Sequence, residues 1–149
     1  MEDDIREKVR RGILVPVEKP EMACPVVPVA KPDGTVRVCG DYSVTTNLVI
    51  DAEQYRLPTL NEMTSAMSGC TVFSKLDLKN AYLQLPLTEE SRRFTTISTT
   101  LGFFNYTTLP FGISAAPRIF QQFIDRLIQI PNVRAYQDDT ACHWWSYTR

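Results

Sequence analysis

Three aspartates are the residues of this chain whose type and spacing best suit chemistry. Asp77 ends an apolar, strand-like stretch, and Asp138 and Asp139 directly follow another such stretch further along the chain. Carboxylate oxygens are the ligands that hard divalent cations such as Mg²⁺ prefer. Two such cations can stabilise both the attacking and the leaving oxygen of a phosphoryl transfer. The three acids therefore predict a two-metal site for phosphoryl transfer.

The adjacent pair Asp138 and Asp139 also has a simpler interpretation. Neighbouring acids between two strands are most often an exposed turn. Placing Asp77 beside them crowds three negative charges, which costs stability unless cations occupy the site. The choice between a turn and a metal site therefore depends on the surrounding sequence.

Three sequence blocks accompany these acids in a fixed order. They are FSKLDLKNAY at 73–82, LPFGISAAP at 109–117 and YQDD at 136–139. With these blocks the chain resembles, from about residue 9 to residue 139, the fingers and palm of a reverse transcriptase of the Ty3/gypsy retrotransposon type. It departs from the family pattern at Ser43, Arg56 and Arg118, and in the tail after Asp139.

The resemblance implies an RNA-directed DNA polymerase with a defined set of metal ligands. Asp77 and Asp138 would hold two Mg²⁺ ions, with Mn²⁺ as an alternative, and Asp139 would complete the catalytic triad. The implied reaction is attack of a primer 3′-hydroxyl on the α-phosphate of a deoxynucleoside triphosphate, which requires no protein nucleophile.

Further positions take nucleotide-binding and primer-binding roles from the same resemblance. The residues expected near the incoming nucleotide are Lys31, Arg37, Leu78, Ala81, Tyr82 and Phe111. The residues expected at the primer terminus are Tyr136 and Gln137. The Tyr82 ring would clash with a ribose 2′-hydroxyl and so exclude ribonucleotides.

Each of these assignments has a structural alternative. Tyr82 also suits an ordinary half-buried strand aromatic. Lys31 and Arg37 flank a predicted turn and also suit a solvated sheet edge. Gln137 also suits a polar turn residue.

The expected partners are an RNA or DNA template with its primer, deoxynucleoside triphosphates, and the remaining polymerase, RNase H and integrase parts of a parent polyprotein. Two other functions compete with polymerisation. A nuclease-like two-metal enzyme would need a water-activating base, and no motif places a His or Lys beside the carboxylates. A truncated, non-catalytic remnant of a retroelement is the other alternative.

Composition limits the classes of protein to which this chain can belong. The 149 residues, 44% of them hydrophobic and 22% charged, are enough for one packed core. No apolar run is long enough for a membrane span or a secretory signal, which predicts an intracellular protein without membrane partners, in a cytoplasmic particle or the nucleus. Four scattered cysteines and one histidine support neither a zinc knuckle nor a disulfide framework. A net charge of −1 argues mildly against a free-standing nucleic-acid binder.

The elements predicted from periodicity and turn residues define an α+β domain with a mainly antiparallel sheet backed by helices. Helices are predicted at 4–11, with Asp3 or Asp4 as N-cap, at 59–67 as a core stripe, and at 114–130. Strands are predicted at 26–30, 36–39, 72–78, 82–87, 94–98, 103–107 and 133–136, with a fingertip hairpin at 26–39.

The segment 140–149 is predicted to be an aberrant tail. Its two adjacent tryptophans and a histidine fit poorly where the family continues with an apolar strand. A one-base frame change converts its codons to ones compatible with Leu-Leu-Val-Thr-Gly-Gly. A frameshift would leave the turn at Asp138 supported by a strand on one side only.

Overall fold

The computed structural model describes residues 1–30, 34–50, 55–137 and 139–144. The assignments to Lys31 and Asp138, and the last five residues of the predicted tail, lie outside these ranges. The chain divides into two compact units, Met1–Asp51 with Tyr82–Ala116, and Ala52–Ala81 with Pro117–Arg149. Composition alone predicted one packed core.

The helices and strands of the described residues confirm an α+β fold. The helices are α1 (Glu2–Arg10), α2 (Leu60–Ala66), α3 (Glu89–Arg92) and α4 (Ala116–Leu127). The strands are β1 (Leu14–Val17), β2 (Cys24–Ala30), β3 (Val36–Gly40), β4 (Val72–Asp77), β5 (Ile97–Thr99), β6 (Gly102–Tyr106), β7 (Val133–Tyr136) and β8 (Asp139–Trp144). In the described part of the chain no helix is long and apolar enough to cross a membrane.

The first unit is built on a five-stranded sheet of order β1-β6-β5-β2-β3. Every pairing in it is antiparallel except that of β2 with β5. Its core contains large side chains that are almost fully buried, among them Ile5, Leu14, Val38, Tyr42 and Ile97. Burying such side chains contributes about 1.5–3 kcal/mol each, which holds α1 and the sheet together.

Helix α1 begins earlier than the sequence predicted. Its N-cap is Met1, so Asp3 and Asp4 lie in the first helical turn and the N-cap prediction was wrong. The Asp4 carboxylate instead accepts hydrogen bonds from Lys8 Nζ at 2.8 Å and from the backbone N–H of Val38 at 2.9 Å. Lys8 also donates to the Val38 carbonyl, so one ion pair fixes α1 against β3.

The predicted fingertip hairpin is confirmed, whereas the strand at 82–87 is not. Strands β2 and β3 pair antiparallel from Val26 with Gly40 to Ala30 with Val36. Ala81–Gln84 forms a 3-10 turn, in which the Tyr82 carbonyl accepts a hydrogen bond from Leu85 N. Leu83, Leu85 and Leu87 are half-buried while Gln84 and Pro86 are exposed, so the pattern of apolar residues fits this turn and the segment after it as well as it fits a strand.

The second unit contains a three-stranded antiparallel sheet of order β4-β8-β7. The central strand is β8, which pairs with β7 on one side and β4 on the other. The expectation that the turn before Asp139 is supported on one side only was therefore wrong, because backbone pairing is indifferent to the unusual side chains of this segment. Whether a frameshift produced those side chains stays a prediction.

Helix α2 also differs from its prediction. It begins with a capping box, in which Thr59 and Glu62 bond each other's backbone N–H groups. Its apolar stripe was predicted to be core, but no residue of the helix is buried, and Leu60 is 78% exposed. The capping box, rather than burial, therefore defines where this helix starts.

Candidate functional site

Asp77 and Asp139 face each other at the end of the second unit's sheet. Asp77 is the last residue of β4 and Asp139 the first of β8, and they are direct partners in the antiparallel register. Directly opposed residues of an antiparallel pair have Cα atoms about 5 Å apart and side chains on the same face. The structure therefore brings two of the three predicted metal-ligating carboxylates together.

A lysine already neutralises one of these carboxylates. Lys75 Nζ lies 2.8 Å from Asp139 Oδ2. Lys75 is two residues before Asp77 on β4, so its side chain leaves the sheet on the same face as the two acids. The ion pair therefore offsets part of the negative charge on this face.

The backbone at Gln137, directly after β7, has an unusual conformation. Tyr136 and Asp139 are register partners at the end of the β7–β8 pair, and Gln137 directly follows Tyr136. Gln137 has φ 53, in the left-handed region that favours glycine. Two-residue hairpin loops prefer such positive φ values because they match the twist of the strands.

A buried amide lies against this turn. Gln121 on α4 is fully buried, and its Oε1 accepts a hydrogen bond of 2.8 Å from the Gln137 N–H. Its Nε2 donates to the Ala135 carbonyl at 3.0 Å and to Asp125 Oδ1 at 2.9 Å. The side-chain amide thus bridges the two backbone groups that flank Tyr136.

The described acids fit a hard divalent cation by chemistry but do not complete a metal site by themselves. Among the described residues, no group of three or more His, Cys, Asp and Glu side chains is placed to hold a metal ion. Asp77 and Asp139 supply carboxylate oxygens on one sheet face, which is the donor type that Mg²⁺ and Mn²⁺ prefer. The third predicted ligand, Asp138, lies outside the described residues.

Three predicted nucleotide-binding residues pack together in the first unit. The Tyr82 and Phe111 ring centroids are 4.9 Å apart, with planes tilted by 41°. The Arg37 guanidinium carbon lies 5.1 Å from the Phe111 ring centroid, a cation–π distance. Arg37 Nε is buried and has no hydrogen-bond partner among the described residues. Phe111 therefore holds a cation on one side and the Tyr82 ring on another.

The loop around Phe111 is fixed by close backbone contact. Gly112 has φ 99, and a Cβ added there would lie 2.7 Å from the Gly40 carbonyl oxygen, so only glycine fits. Asn47 grips the same loop, because its Nδ2 donates to the Gly112 carbonyl and its Oδ1 accepts from the Ser114 N–H. These contacts fix the backbone on both sides of Phe111.

The remaining predicted residues differ in exposure. Ala81 is only 2% exposed, so any contact that it makes with a nucleotide must come from its backbone, whereas the Leu78 side chain is half-buried and remains partly accessible. Tyr136 is exposed and Gln137 half-buried, as a primer contact would require. The roles themselves stay predictions.

Sequence reasoning missed three residues of these surroundings: Lys75, Gln121 and Asn47. Gln121 carried a usable signal, because it is a polar residue next to Phe120 and three residues before Ile124 on the apolar face of α4. Buried amides almost always have hydrogen-bond partners. The partners themselves could not be named, because they are backbone groups distant in sequence.

Comparison with known proteins assigns the family. The family described as reverse transcriptase (RNA-dependent DNA polymerase) matches residues 29–147. The chain belongs to this family.

Among curated relatives, the chain is 34% identical over 142 residues to an uncharacterised Caenorhabditis elegans protein, covering 93% of the chain and 11% of that protein. It is also 34% identical over 146 residues to the transposon Tf2-3 polyprotein of Schizosaccharomyces pombe, covering 96% of the chain and 11% of the polyprotein. The chain thus spans about a tenth of the length of these relatives.

Solved structures agree with this assignment. The prototype foamy virus protease-reverse transcriptase matches with a TM-score of 0.80 and 30% identity, over 93% of this chain and 18% of that one. A foamy viral protease-reverse transcriptase in complex with double-stranded DNA matches with a TM-score of 0.79 and 25% identity, over 95% of this chain and 25% of that one. The fold is therefore that of reverse transcriptase fingers and palm.

Proposed function

We propose that the chain is the fingers and partial palm of an RNA-directed DNA polymerase and acts within a retrotransposon polyprotein. In that role it contributes to template-directed DNA synthesis by two-metal nucleotidyl transfer. The partners would be a primed RNA or DNA template, deoxynucleoside triphosphates, and the remaining polymerase, RNase H and integrase parts of the polyprotein.

The observation that carries the proposal is the register of β4 and β8. It places Asp77, the last residue of β4, opposite Asp139, the first residue of β8, on one face of the sheet. An ordinary exposed turn would not require a third acid from a sequence-distant strand beside it. A metal site does, because its ligands must converge.

The three aspartates would bind the metal ions, and the nucleotide-binding residues would bind the incoming nucleotide. Asp77, Asp138 and Asp139 would hold two Mg²⁺ or Mn²⁺ ions. When bound, such ions lower the pKa of the primer 3′-hydroxyl and neutralise the triphosphate. Exposed carboxylates on rigid strand ends keep the ligand oxygens fixed relative to one another, which limits the reorganisation needed during reaction.

The aromatic cluster suits recognition of the incoming nucleotide. Arg37, stacked on Phe111 and unpaired by any described acid, retains donors for phosphate oxygens. Lys31, on the same predicted fingertip, would add a second cation. Tyr82, held by its contact with Phe111, would present its ring to the sugar and exclude a 2′-hydroxyl.

Metal binding provides the direct test. Mn²⁺ binding to the 149-residue chain is measured by electron paramagnetic resonance, with Asp77→Asn as the test variant and Asp3→Asn as the control with the same charge change on α1. We expect Asp77→Asn to weaken binding by about tenfold or more, and Asp3→Asn to leave it unchanged. Equal binding by all three proteins would contradict a site at Asp77.

Polymerisation is tested in a chain extended to include the remaining polymerase parts. Primer extension with oligo(dT) on poly(rA) should be abolished by Asp77→Asn and by Asp139→Asn. An extended protein that binds primer–template and Mn²⁺ but never extends the primer would favour the non-catalytic remnant instead.

A further inference from the structure

The Gln121 side chain makes hydrogen bonds to backbone groups that the backbone of a neighbouring strand would usually make. Its carboxamide bonds the N–H of Gln137 and the carbonyl of Ala135, so a single planar group satisfies one donor and one acceptor on either side of Tyr136. Because Gln121 is fully buried, leaving its amide without hydrogen-bond partners would be destabilising. The arrangement therefore favours one position of the β7 end relative to α4.

The turn that follows needs such support. Gln137 adopts φ 53, a left-handed conformation that is unfavourable for a non-glycine residue. Strained backbone of this kind persists only when its surroundings determine it. The hydrogen bond from the Gln137 N–H to Gln121 Oε1 acts at the strained residue itself.

The Gln121 amide is itself held in place by a hydrogen bond from its nitrogen to Asp125. Asp125, one helical turn further along α4, accepts from Gln121 Nε2 through one carboxylate oxygen and from the Tyr55 hydroxyl, at 2.6 Å, through the other. This orients the Gln121 amide with its nitrogen towards Asp125 and Ala135 and its oxygen towards Gln137. The reverse orientation would set two acceptors against each other.

We propose that Gln121 is a positioning residue for the candidate catalytic carboxylates: through Gln137 it holds the strained backbone after β7 in the one conformation that sets Asp139 opposite Asp77. The inference rests on the proposed function, since it assigns Gln121 a role in metal binding. Gln121 itself touches neither metal nor substrate.

Amide hydrogen exchange tests the structural part without any metal. In assigned NMR spectra of the 149-residue chain, the Gln137 amide should exchange about tenfold or more slowly than in the unfolded chain. Exchange at the unfolded rate would overturn the proposal outright. In Gln121→Met, which has a similar shape but no amide, protection at Gln137 should be lost while the amides of α4 remain protected.

Mn²⁺ affinity tests the functional part at a temperature where every variant is folded. We expect Gln121→Met to weaken binding by about tenfold, as loss of a supporting hydrogen bond around metal ligands does. Gln121→Glu keeps an oxygen but faces Asp125 and the Ala135 carbonyl with a charge, so it should also weaken binding. The matched control is Gln122→Met, whose side chain makes no hydrogen bond to described residues.

The two measurements separate the possible failures. Lost protection at Gln137 with unchanged Mn²⁺ affinity would make Gln121 a purely structural residue and overturn the proposal. Absence of Mn²⁺ binding in the unsubstituted chain would refute the metal site itself, and with it the role of Gln121. The exchange data would still report whether the amide holds the turn.

Discussion

At the scale of single residues, Lys75 is important because it pairs with one of the proposed metal-binding carboxylates. Its ammonium lies 2.8 Å from Asp139 Oδ2, and the two side chains are 69% and 46% exposed. An exposed pair of this kind contributes at most about 1 kcal/mol, so a divalent cation can displace it at small cost. In the proposed metal site, Lys75 would therefore offset the charge of Asp139 without metal and compete modestly with a bound metal ion.

This competition predicts the effect of Lys75→Met. Removing the internal cation should tighten Mn²⁺ binding by about two- to fivefold, the equivalent of an exposed ion pair. Titration followed by electron paramagnetic resonance provides the measurement. Lys19→Met, with the same charge change on the first unit, is the control, and equal gains in both variants would show a general charge effect rather than competition.

Tyr82 is the residue predicted to discriminate deoxyribonucleotides from ribonucleotides. In the extended polymerase, Tyr82→Ala should admit ribonucleotides far more readily, because the ring that opposes the 2′-hydroxyl is gone. Tyr82→Phe keeps the ring and should retain discrimination. Primer extension with ribonucleotides and deoxyribonucleotides in parallel is the measurement, and unchanged selectivity in the alanine variant would leave Tyr82 as a packing partner of Phe111.

At the scale of elements, α2 depends on its capping box more than on burial. Thr59→Ala removes the side chain that accepts from Glu62 N and should lower the free energy of unfolding by about 1 kcal/mol. Thr64→Ala is the control, because Thr64 bonds only carbonyls within the helix and alanine has the higher helix propensity. Urea denaturation compares the two, and equal losses would contradict the capping argument.

The same cap has a predictable response to acid. The Thr59 backbone and side-chain hydrogen bonds hold the pKa of Glu62 below its ordinary value of 4.5. The contribution of Glu62 is therefore present at neutral pH and is lost as pH falls through its lowered folded-state pKa. The destabilisation caused by Thr59→Ala should accordingly shrink in acid.

Elements were predictable from sequence wherever local chemistry decides them. The hairpin of β2 and β3 was predicted from turn residues that act over a few positions, and α2 was predicted from the spacing of its apolar residues. The segment at 82–87 was not, because its alternating apolar residues fit a strand equally well until the Leu85 N–H is seen bonding the Tyr82 carbonyl. The Gln121 and Asn47 contacts were not, because each joins a side chain to backbone distant in sequence.

At the scale of the whole molecule, the second unit exposes apolar surface. Every residue of β4 is exposed, and Val72, Phe73 and Leu76 are each about half exposed. Neighbouring apolar side chains on an edge strand favour association. The isolated chain should therefore bind the dye ANS and self-associate.

Replacing these three residues by threonine, which retains strand propensity, should lower both signals. Val27→Thr with Val29→Thr, on exposed positions of β2, is the control. Light scattering and dye fluorescence measure the outcome, and an equal decrease in the control would contradict a specific role for β4.

Charge sets the expected behaviour of the whole chain towards nucleic acid. Affinity for phosphate backbones is built on clustered Lys and Arg, and this chain has 16 of them against 17 acids. Without tight binding, primer and nucleotide are not held in the orientation that supplies much of the rate of phosphoryl transfer. We therefore expect the 149-residue chain to bind primer–template weakly and to show no measurable synthesis, even where it binds Mn²⁺. Fluorescence anisotropy across a salt series and extension of oligo(dT) on poly(rA) measure the two parts. Robust extension by the purified 149-residue chain would contradict the prediction and show that its own charges suffice to hold the duplex.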